Sequence, residues 1–208
     1  MLNMCNDNVV MSDMDKKEMI FKASLKFKEF MEILKIDCDK DPNSIDTPMR
    51  VAKMYVNELF NGRYSDYPAV KSFPNTQEYD EIIFTNCEVI GVCAHHWATI
   101  AYKIYIGVLS NPDPKSRLIG LSKYTRIAEW ICARPSIQEE STSQLHAEID
   151  KLCDDNKGVM IYIVGQHGCC MTRGVKQLNG RMITSKCSGA FLNCDGTRNE
   201  FFQMVGKV

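Results

Sequence analysis

Long apolar runs are missing from this chain of 208 residues. No stretch reaches the roughly 20 consecutive apolar residues that a membrane-spanning helix needs. The segment from Met1 to Lys17 also lacks a basic region followed by an apolar run, which is the pattern of a secretory signal peptide. We therefore expect a cytoplasmic protein that has no membrane partner.

A surplus of charge of one sign is missing as well. The chain has 25 Lys and Arg against 26 Asp and Glu, which gives a formal net charge of -1. Proteins dedicated to nucleic acids usually carry a strong basic surplus, so we expect no nucleic-acid partner. An anionic ligand must then be bound by a local cluster of basic side chains.

Cysteine is plentiful in the chain, whereas histidine is scarce. There are ten cysteines and four histidines. Because cytoplasmic thiols stay reduced, cysteines close to histidines indicate a metal or catalytic site before they indicate a disulfide framework. Most of the ten are expected to be small buried apolar side chains.

The apolar periodicity predicts a single α+β domain preceded by N-terminal helices. Residues 1–15 are polar and unpatterned and are expected to form a flexible tail, residues 16–75 a helical region, and residues 76–208 the main domain. The predicted strands, at 82–90, 98–109, 159–164 and 181–184, favour an antiparallel sheet, and helices are predicted at 16–35, 48–61, 122–134 and 140–152.

Three of the four histidines lie in two short clusters with cysteines, Cys93-Ala94-His95-His96 and His167-Gly168-Cys169-Cys170. A Cys-x-x-His pair in a turn can place sulfur and nitrogen on one cation, and a distant thiolate completes a three-ligand zinc site. The open fourth position of such a site is typical of catalytic zinc. We predict that Cys93, His96 and Cys169 bind Zn²⁺. His95 and His167 then remain beside the metal as proton carriers.

Either cluster alone is more often structural or accidental than catalytic, so the prediction depends on their meeting in the fold. On a strand, Cys170 would point away from Cys169, which favours Cys169 as the ligand on the same face as His167. His146 lies within a predicted helix among polar residues, and we expect it at the surface.

Basic residues soon after position 120 predict an anion site. If Ser122 caps a helix, Lys123 and Arg126 lie three residues apart on its first turn. Backbone N–H groups and the positive end of the helix dipole attract an anion there. An ordinary solvated helix start would show the same pattern. Arg173 and Arg50 could add to the cluster.

Gln138 and Glu139 follow Pro135 at another predicted helix start. A carboxylate can accept hydrogen bonds from N1–H and the exocyclic amine of guanine, a paired geometry that adenine does not offer. An acidic residue at a helix start is also a common capping charge. The pair therefore indicates guanine only in combination with the other signals.

Together these segments resemble GTP cyclohydrolase I. They occur in the family's order between about residues 16 and 205, and as an ordered set they are highly specific, although none would suffice alone. The matching stretches are Asp46 to Tyr55, Cys93 to His96, Gly120 to Lys123 with Arg126, Arg134 to Glu139, His167 with Cys169, Arg173 with Gly174, and Arg198 to Phe201.

The resemblance implies a tunnelling fold (T-fold), with an antiparallel sheet and helices on one face, in a toroidal homodecamer that has active sites at subunit interfaces. It also implies hydrolysis of GTP to 7,8-dihydroneopterin triphosphate and formate, by zinc-assisted opening of the guanine imidazole ring followed by ribose rearrangement. The resemblance implies that this product feeds pterin biosynthesis, from which the folate route to tetrahydrofolate and one-carbon metabolism, the biopterin route and the deazaguanine route can all begin.

The resemblance further assigns roles to residues of this chain. Those that match the family's acid/base, substrate and metal positions take the following roles, of which the catalytic role of Ser122 is implied by the resemblance alone. They are His95, His167 and Ser122 as catalytic residues, Gln138, Glu139, Lys123, Arg126, Arg173 and Arg50 as substrate-binding residues, and Cys93, His96 and Cys169 as zinc ligands.

One departure from the family bears on function. The family has Glu between the cysteine and the paired histidines, where this chain has Ala94. Loss of that carboxylate affects the support of the metal site. We therefore expect it to change the catalytic rate more than the binding of the metal. Two alternatives follow: a T-fold enzyme that acts on another purine or pterin, and a non-catalytic zinc-bound assembly module. The retained Lys123, Arg126 and Glu139 speak against the module.

Overall fold

The computed structural model describes residues 3–208; Met1 and Leu2, which belong to the predicted tail, lie outside the described residues. The helices are α1 (Asp13–Ile33), α2 (Thr47–Lys53), α3 (Asn61–Tyr64), α4 (Leu121–Cys132), α5 (Gln138–Leu152), α6 (Gly168–Met171), α7 (Ala190–Asn193) and α8 (Asp195–Val205). The strands are β1 (Ser72–Pro74), β2 (Ile82–Cys93), β3 (Thr99–Leu109), β4 (Arg117–Ile119), β5 (Pro135–Ser136), β6 (Gly158–His167) and β7 (Met182–Cys187).

A five-stranded sheet in the order β5-β2-β3-β6-β7 forms the centre of the domain. Its long strands are antiparallel neighbours, and only the short β5 runs parallel to β2. The sheet confirms the four predicted strands and the α+β class. In this register Val92 pairs with Thr99, and Ile100 pairs with His167. One end of the sheet therefore carries the ends of both β2 and β6.

Helices α4 and α5 cover one face of the sheet. Ile104 and Ile106 of β3 are fully buried against Ile127 of α4 and Leu145 of α5, all at 0% exposure. Replacing one such side chain by alanine typically costs about 2–5 kcal/mol, because the cavity does not close. This layer confirms the expected placement of helices on a sheet face.

The short C-terminal helices α7 and α8, which the sequence analysis did not predict, cover one end of the opposite face. Phe191 and Phe201 are fully buried there against Tyr105 and Met160. A Cβ atom at Gly107 would lie 2.7 Å from the Phe201 ring, so glycine provides the room for this packing. Helices therefore also cover part of the second face of the sheet.

The N-terminal helices form a separate layer. Ile20 of α1 is buried against Ala52 of α2 and Val56, which lies in the π-helical segment Met54–Leu59 that continues α2. Pro48 occupies the first turn of α2, as the sequence predicts. Among residues 3–208, no helix is both long and apolar enough to cross a membrane.

The described part of the predicted tail is anchored to the domain. The Arg63 guanidinium donates to the carbonyl oxygens of Cys5 and Asp7, at 2.7 and 2.9 Å. The Val9 amide donates to the Arg63 carbonyl at 2.6 Å. These contacts use backbone groups, which composition does not reveal, and they join residues 5–9 to Arg63.

His146 is buried, and its prediction as a surface residue is wrong. Its ring Nε2 lies 3.1 Å from the Ser188 hydroxyl, which also accepts from the Val159 amide at 3.2 Å. Burial lowers the pKa of His146 below its ordinary value, and Lys186 adds to the shift while Asp150 opposes it. The polar neighbours in sequence face solvent, whereas His146 faces β6 and the end of β7.

The buried His146 makes stability depend on pH. Its pKa is lower in the folded than in the unfolded chain, so the unfolded chain binds more protons below about pH 6.5. We expect the free energy of unfolding to fall as the pH is lowered from 7.5 to 5.5, measured by urea denaturation. His146→Gln, which can still bond Ser188, should lose part of that fall. An equal pH dependence in both proteins would contradict this account.

Candidate metal centre and active site

A tight turn joins β2 to β3 and presents the first histidine cluster. The Cys93 amide donates to the Ala98 carbonyl and the Trp97 amide to the Cys93 carbonyl, both at 2.9 Å. Trp97 adopts a positive φ of 52°, which lets the chain reverse within four residues. As a result Cys93 is buried at the strand end, whereas His95 and His96 are exposed.

The second cluster lies on the helical turn α6, which directly follows His167 at the end of β6. Gly168 is required at this point, because a Cβ atom there would lie 2.8 Å from the Thr99 carbonyl oxygen. The turn buries Cys169 and leaves Cys170 exposed, with 4.0 Å between their sulfur atoms. The prediction of a strand at these residues is wrong, although the opposite placement of the two thiols is right.

The two clusters meet at one point. The ligand atoms of Cys93, His96 and Cys169 all lie within 4.8 Å of one another. Zinc–ligand bonds of about 2.0–2.3 Å in a tetrahedron place donors roughly 3.3–3.8 Å apart, so a small closure would bring this set onto one ion. Two thiols and an imidazole are also the donor types that zinc prefers. The residues fit the metal that the sequence predicts.

The Cys169 thiol lies in an environment that disfavours its thiolate. Burial raises the pKa of Cys169 above its ordinary value, and the neighbouring Cys93 raises it further. A bound dication reverses this effect, because a coordinating thiol loses its proton. Metal binding and deprotonation are therefore coupled here.

Arg173 reaches the exposed side of the cluster. Its guanidinium donates a hydrogen bond to His96 Nε2 at 2.5 Å. Arg173 is itself exposed, so its positive charge lies at the open side of the cluster. Of the basic residues that the sequence predicts for substrate binding, this one lies beside the thiols within the chain.

His167, Gln138 and Glu139 complete the neighbourhood. The short strand β5 pairs Ser136 with Cys93, which brings the start of α5 to the cluster. His167 Nε2 lies 2.9 Å from Gln138 Oε1. Burial lowers the pKa of His167, and the nearby Glu139 carboxylate partly opposes that shift. Glu139 itself is exposed.

The remaining predicted residues lie elsewhere in the chain. Helix α4 begins at Leu121 with Gly120 at its N-cap, so Ser122 is not the predicted cap but lies in the first turn. Arg126 lines a cavity of about 950 Å³. Arg50 pairs with Asp46 at 3.0 Å. In the part of the chain that the structure describes, no hydrogen bond or ion pair links Ser122, Lys123, Arg126 or Arg50 to the cluster.

An aromatic group beside the exposed histidines was missed by the sequence analysis. The rings of Tyr55 and Phe60 lie 5.7 and 5.3 Å from the ring of Trp97. They line a cavity of about 780 Å³ that also adjoins His95 and His96. The position of Trp97 directly after His96 was the one signal in the sequence that could have indicated this wall.

Fold and site together define a class of protein: an α+β enzyme domain whose sheet ends at a Cys/His cluster suited to a cation. The family model described as GTP cyclohydrolase I matches residues 23–206. The chain belongs to the GTP cyclohydrolase I family, and it is a GTP cyclohydrolase.

Individual relatives agree with the family match. A GTP cyclohydrolase 1 of Edwardsiella ictaluri is 34% identical over 85% of this chain and 79% of its own. One from Haemophilus ducreyi is 32% identical over 86% of this chain and 81% of its own. Among solved structures, the apo archaeosine synthase QueF-Like aligns with a TM-score of 0.41 at 8% identity, over 52% of this chain and 93% of its own.

The cluster predicts a specific pattern of metal retention. We expect Cys169→Ala to lower zinc affinity by at least about 100-fold, since it removes one of three ligands and even indirect support is worth 10–100-fold. Cys170→Ala is the matched control, because it removes the adjacent exposed thiol. Zinc content after gel filtration, measured by atomic emission, checks both variants. His95→Ala should also retain zinc; its loss there would contradict the division between ligand and proton carrier.

Proposed function

We propose that this GTP cyclohydrolase converts GTP and water to 7,8-dihydroneopterin triphosphate and formate at the cluster formed by Cys93, His96 and Cys169. The observation that supports this reaction most is the meeting of the three ligand atoms within 4.8 Å. Zinc bound there would supply hydroxide near neutral pH for attack on C8 of the purine. We place the protein in the cytoplasm, where its ten cysteines would stay reduced thiols.

The chain's own residues supply proton transfer. Opening the imidazole ring requires a proton on the ring nitrogen as the C8–N bond breaks, and a second hydrolytic step releases C8 as formate. His95 is exposed beside the cluster, and His167 is half-buried at its other side. These two histidines are the groups that we assign to those transfers. Their retention favours catalysis over a non-catalytic module.

Glu139 is the group that we assign to guanine recognition. It lies at the start of α5, close enough to His167 to affect the pKa of that residue, and its side chain is exposed. A carboxylate in this place accepts from both N1–H and the exocyclic amine, whereas adenine leaves it without a donor at N1. This difference accounts for a preference for GTP over ATP.

Guanine recognition can be tested with a neighbouring pair of carboxylates. We expect Glu139→Gln to lower kcat/KM for GTP by at least about 100-fold, because two charge-assisted hydrogen bonds are weakened. Glu140→Gln is the control, since the Glu140 carboxylate accepts a hydrogen bond from the Ile137 amide and has no assigned part in guanine recognition. Formate release and product absorbance would be followed with GTP and with ATP, with and without a chelator. Turnover that a chelator leaves unchanged would contradict the proposal.

The triphosphate is assigned to Ser122, Lys123 and Arg126 together with Arg173 and Arg50. Of these five residues, only Arg173 has a hydrogen bond to the cluster among residues 3–208. We therefore propose that a neighbouring subunit brings the start of its α4 to this cluster, in the homodecamer that the family resemblance implies. The active site then lies at a subunit interface.

A shared site predicts complementation between inactive subunits. Lys123→Ala and His95→Ala should each be nearly inactive alone, because each removes a group from every site. After unfolding and refolding as an equal mixture, about a quarter of the sites would combine the two intact halves, and activity should return to that extent. Formate release by the mixture is the measurement. A mixture that stays as inactive as its components would place both residues in one subunit's site.

The product feeds the pterin pathways in our proposal, including tetrahydrofolate and one-carbon metabolism.

Ala94 stands where the family has Glu, yet its backbone keeps the local geometry, since its amide donates to the Ser136 carbonyl at 3.1 Å. Loss of the carboxylate therefore leaves the metal ligands in place, which supports an active enzyme.

A further inference from the structure

Gln138, which the resemblance places on the substrate, is buried and has its own partners. Its side chain is 1% exposed. Its amide nitrogen lies 3.2 Å from the Ile163 carbonyl oxygen, 3.1 Å from that of Met182 and 3.0 Å from the Thr184 hydroxyl. Its amide oxygen lies 2.9 Å from His167 Nε2. The whole carboxamide is therefore engaged within the chain.

These partners fix which end of the amide faces the histidine. Carbonyl oxygens only accept, so the NH₂ group must face Ile163 and Met182, and the oxygen must face His167. Because an amide oxygen only accepts, His167 Nε2 must carry the hydrogen. The neutral ring then has its lone pair on Nδ1. The tautomer thus follows from acceptors on β6 and β7.

The hydroxyl groups of Thr142 and Thr184 support the same orientation of the Gln138 amide. The Thr142 hydroxyl donates to the Gln138 backbone carbonyl at 2.8 Å, so its oxygen must accept from the Thr184 hydroxyl 2.7 Å away. With its hydrogen committed to Thr142, the Thr184 oxygen is left to accept from the Gln138 amide. Each hydroxyl hydrogen then has one acceptor, and the two amide hydrogens face three acceptors, which resists rotation of the amide.

The fold also leaves a recess for this amide. A Cβ atom at Gly165 would lie 2.2 Å from Gln138 Oε1, so only glycine admits the oxygen at that point of β6. Tyr102, which pairs with Gly165, presents its ring at right angles to the His167 ring, with 6.5 Å between the centroids. The histidine ring is thus held by an amide on one side and an aromatic ring on another.

We propose that Gln138 is a positioning residue, whose buried carboxamide holds His167 in the Nε2–H tautomer and leaves Nδ1 as the nitrogen that exchanges a proton with the substrate. The inference rests on the proposed function only for the role of Nδ1. The tautomer itself follows from the hydrogen-bond geometry, and it is measurable without turnover.

The test is ¹⁵N NMR of the zinc-loaded enzyme with labelled histidine at pH 8, with the His167 signals assigned by comparison with His167→Gln. In the unaltered protein we expect Nε2 to be the protonated nitrogen and Nδ1 the bare one. Nδ1–H as the dominant form would overturn the proposal. Because this measurement needs no substrate, it is independent of whether GTP is turned over.

Kinetics of two variants complete the test. Gln138→Leu removes the acceptor, and we expect mixed tautomers with kcat for GTP lowered by about 100-fold and KM changed by less than about threefold. Gly165→Ala, which leaves Gln138 in place but crowds Oε1, should shift the same ¹⁵N signals in the same direction. A rise in KM alone would assign Gln138 to substrate binding instead. Unchanged His167 signals in both variants would also overturn the proposal, and if Gln138→Leu does not fold, Gly165→Ala decides.

Discussion

The backbone ladder of β2, β3 and β6 brings the two halves of the site together. Cys93 ends β2 and His167 ends β6, and both meet the first residues of β3. A slip of one residue would turn Ile104 and Ile106 from the core to the opposite face. Burial of each such side chain is worth about 1.5–3 kcal/mol, so the apolar core fixes the register. The site inherits its geometry from that core, which includes Cys93 and Cys169 at its edge.

The same core sets the electrostatics of the site. Cys93 and Cys169 are buried at its edge, while His96 and Arg173 lie on the exposed side. Burial raises the pKa of the Cys169 thiol, so a bound cation would favour its thiolate. The basic residues of α4, by contrast, lie far along the chain and touch the cluster nowhere among residues 3–208.

Sequence reasoning succeeded where a residue's chemistry is rare and its neighbours are informative. Two Cys/His clusters in a chain with four histidines were enough to predict which three side chains converge. It failed where contacts between residues distant in sequence determine whether a side chain is buried. His146 has polar neighbours in sequence, but its surroundings come from Ser188 and Val159, which no local pattern connects to it. Gly120 replaced Ser122 as the cap of α4 because the extended end of β4 leads directly into the helix.

Gln138 and Glu139 show that spacing in the sequence does not determine which of two consecutive residues is buried. They are consecutive residues at the start of α5, and a helix turns by about 100° per residue, so one can enter the core while the next faces the solvent. The first is 1% exposed and bonds His167, and the second is exposed beside that histidine. Strand β5 fixes both through its pairing with Cys93. A single short bridge therefore couples Cys93, His167 and Glu139, and displacement of β5 would disturb all three together.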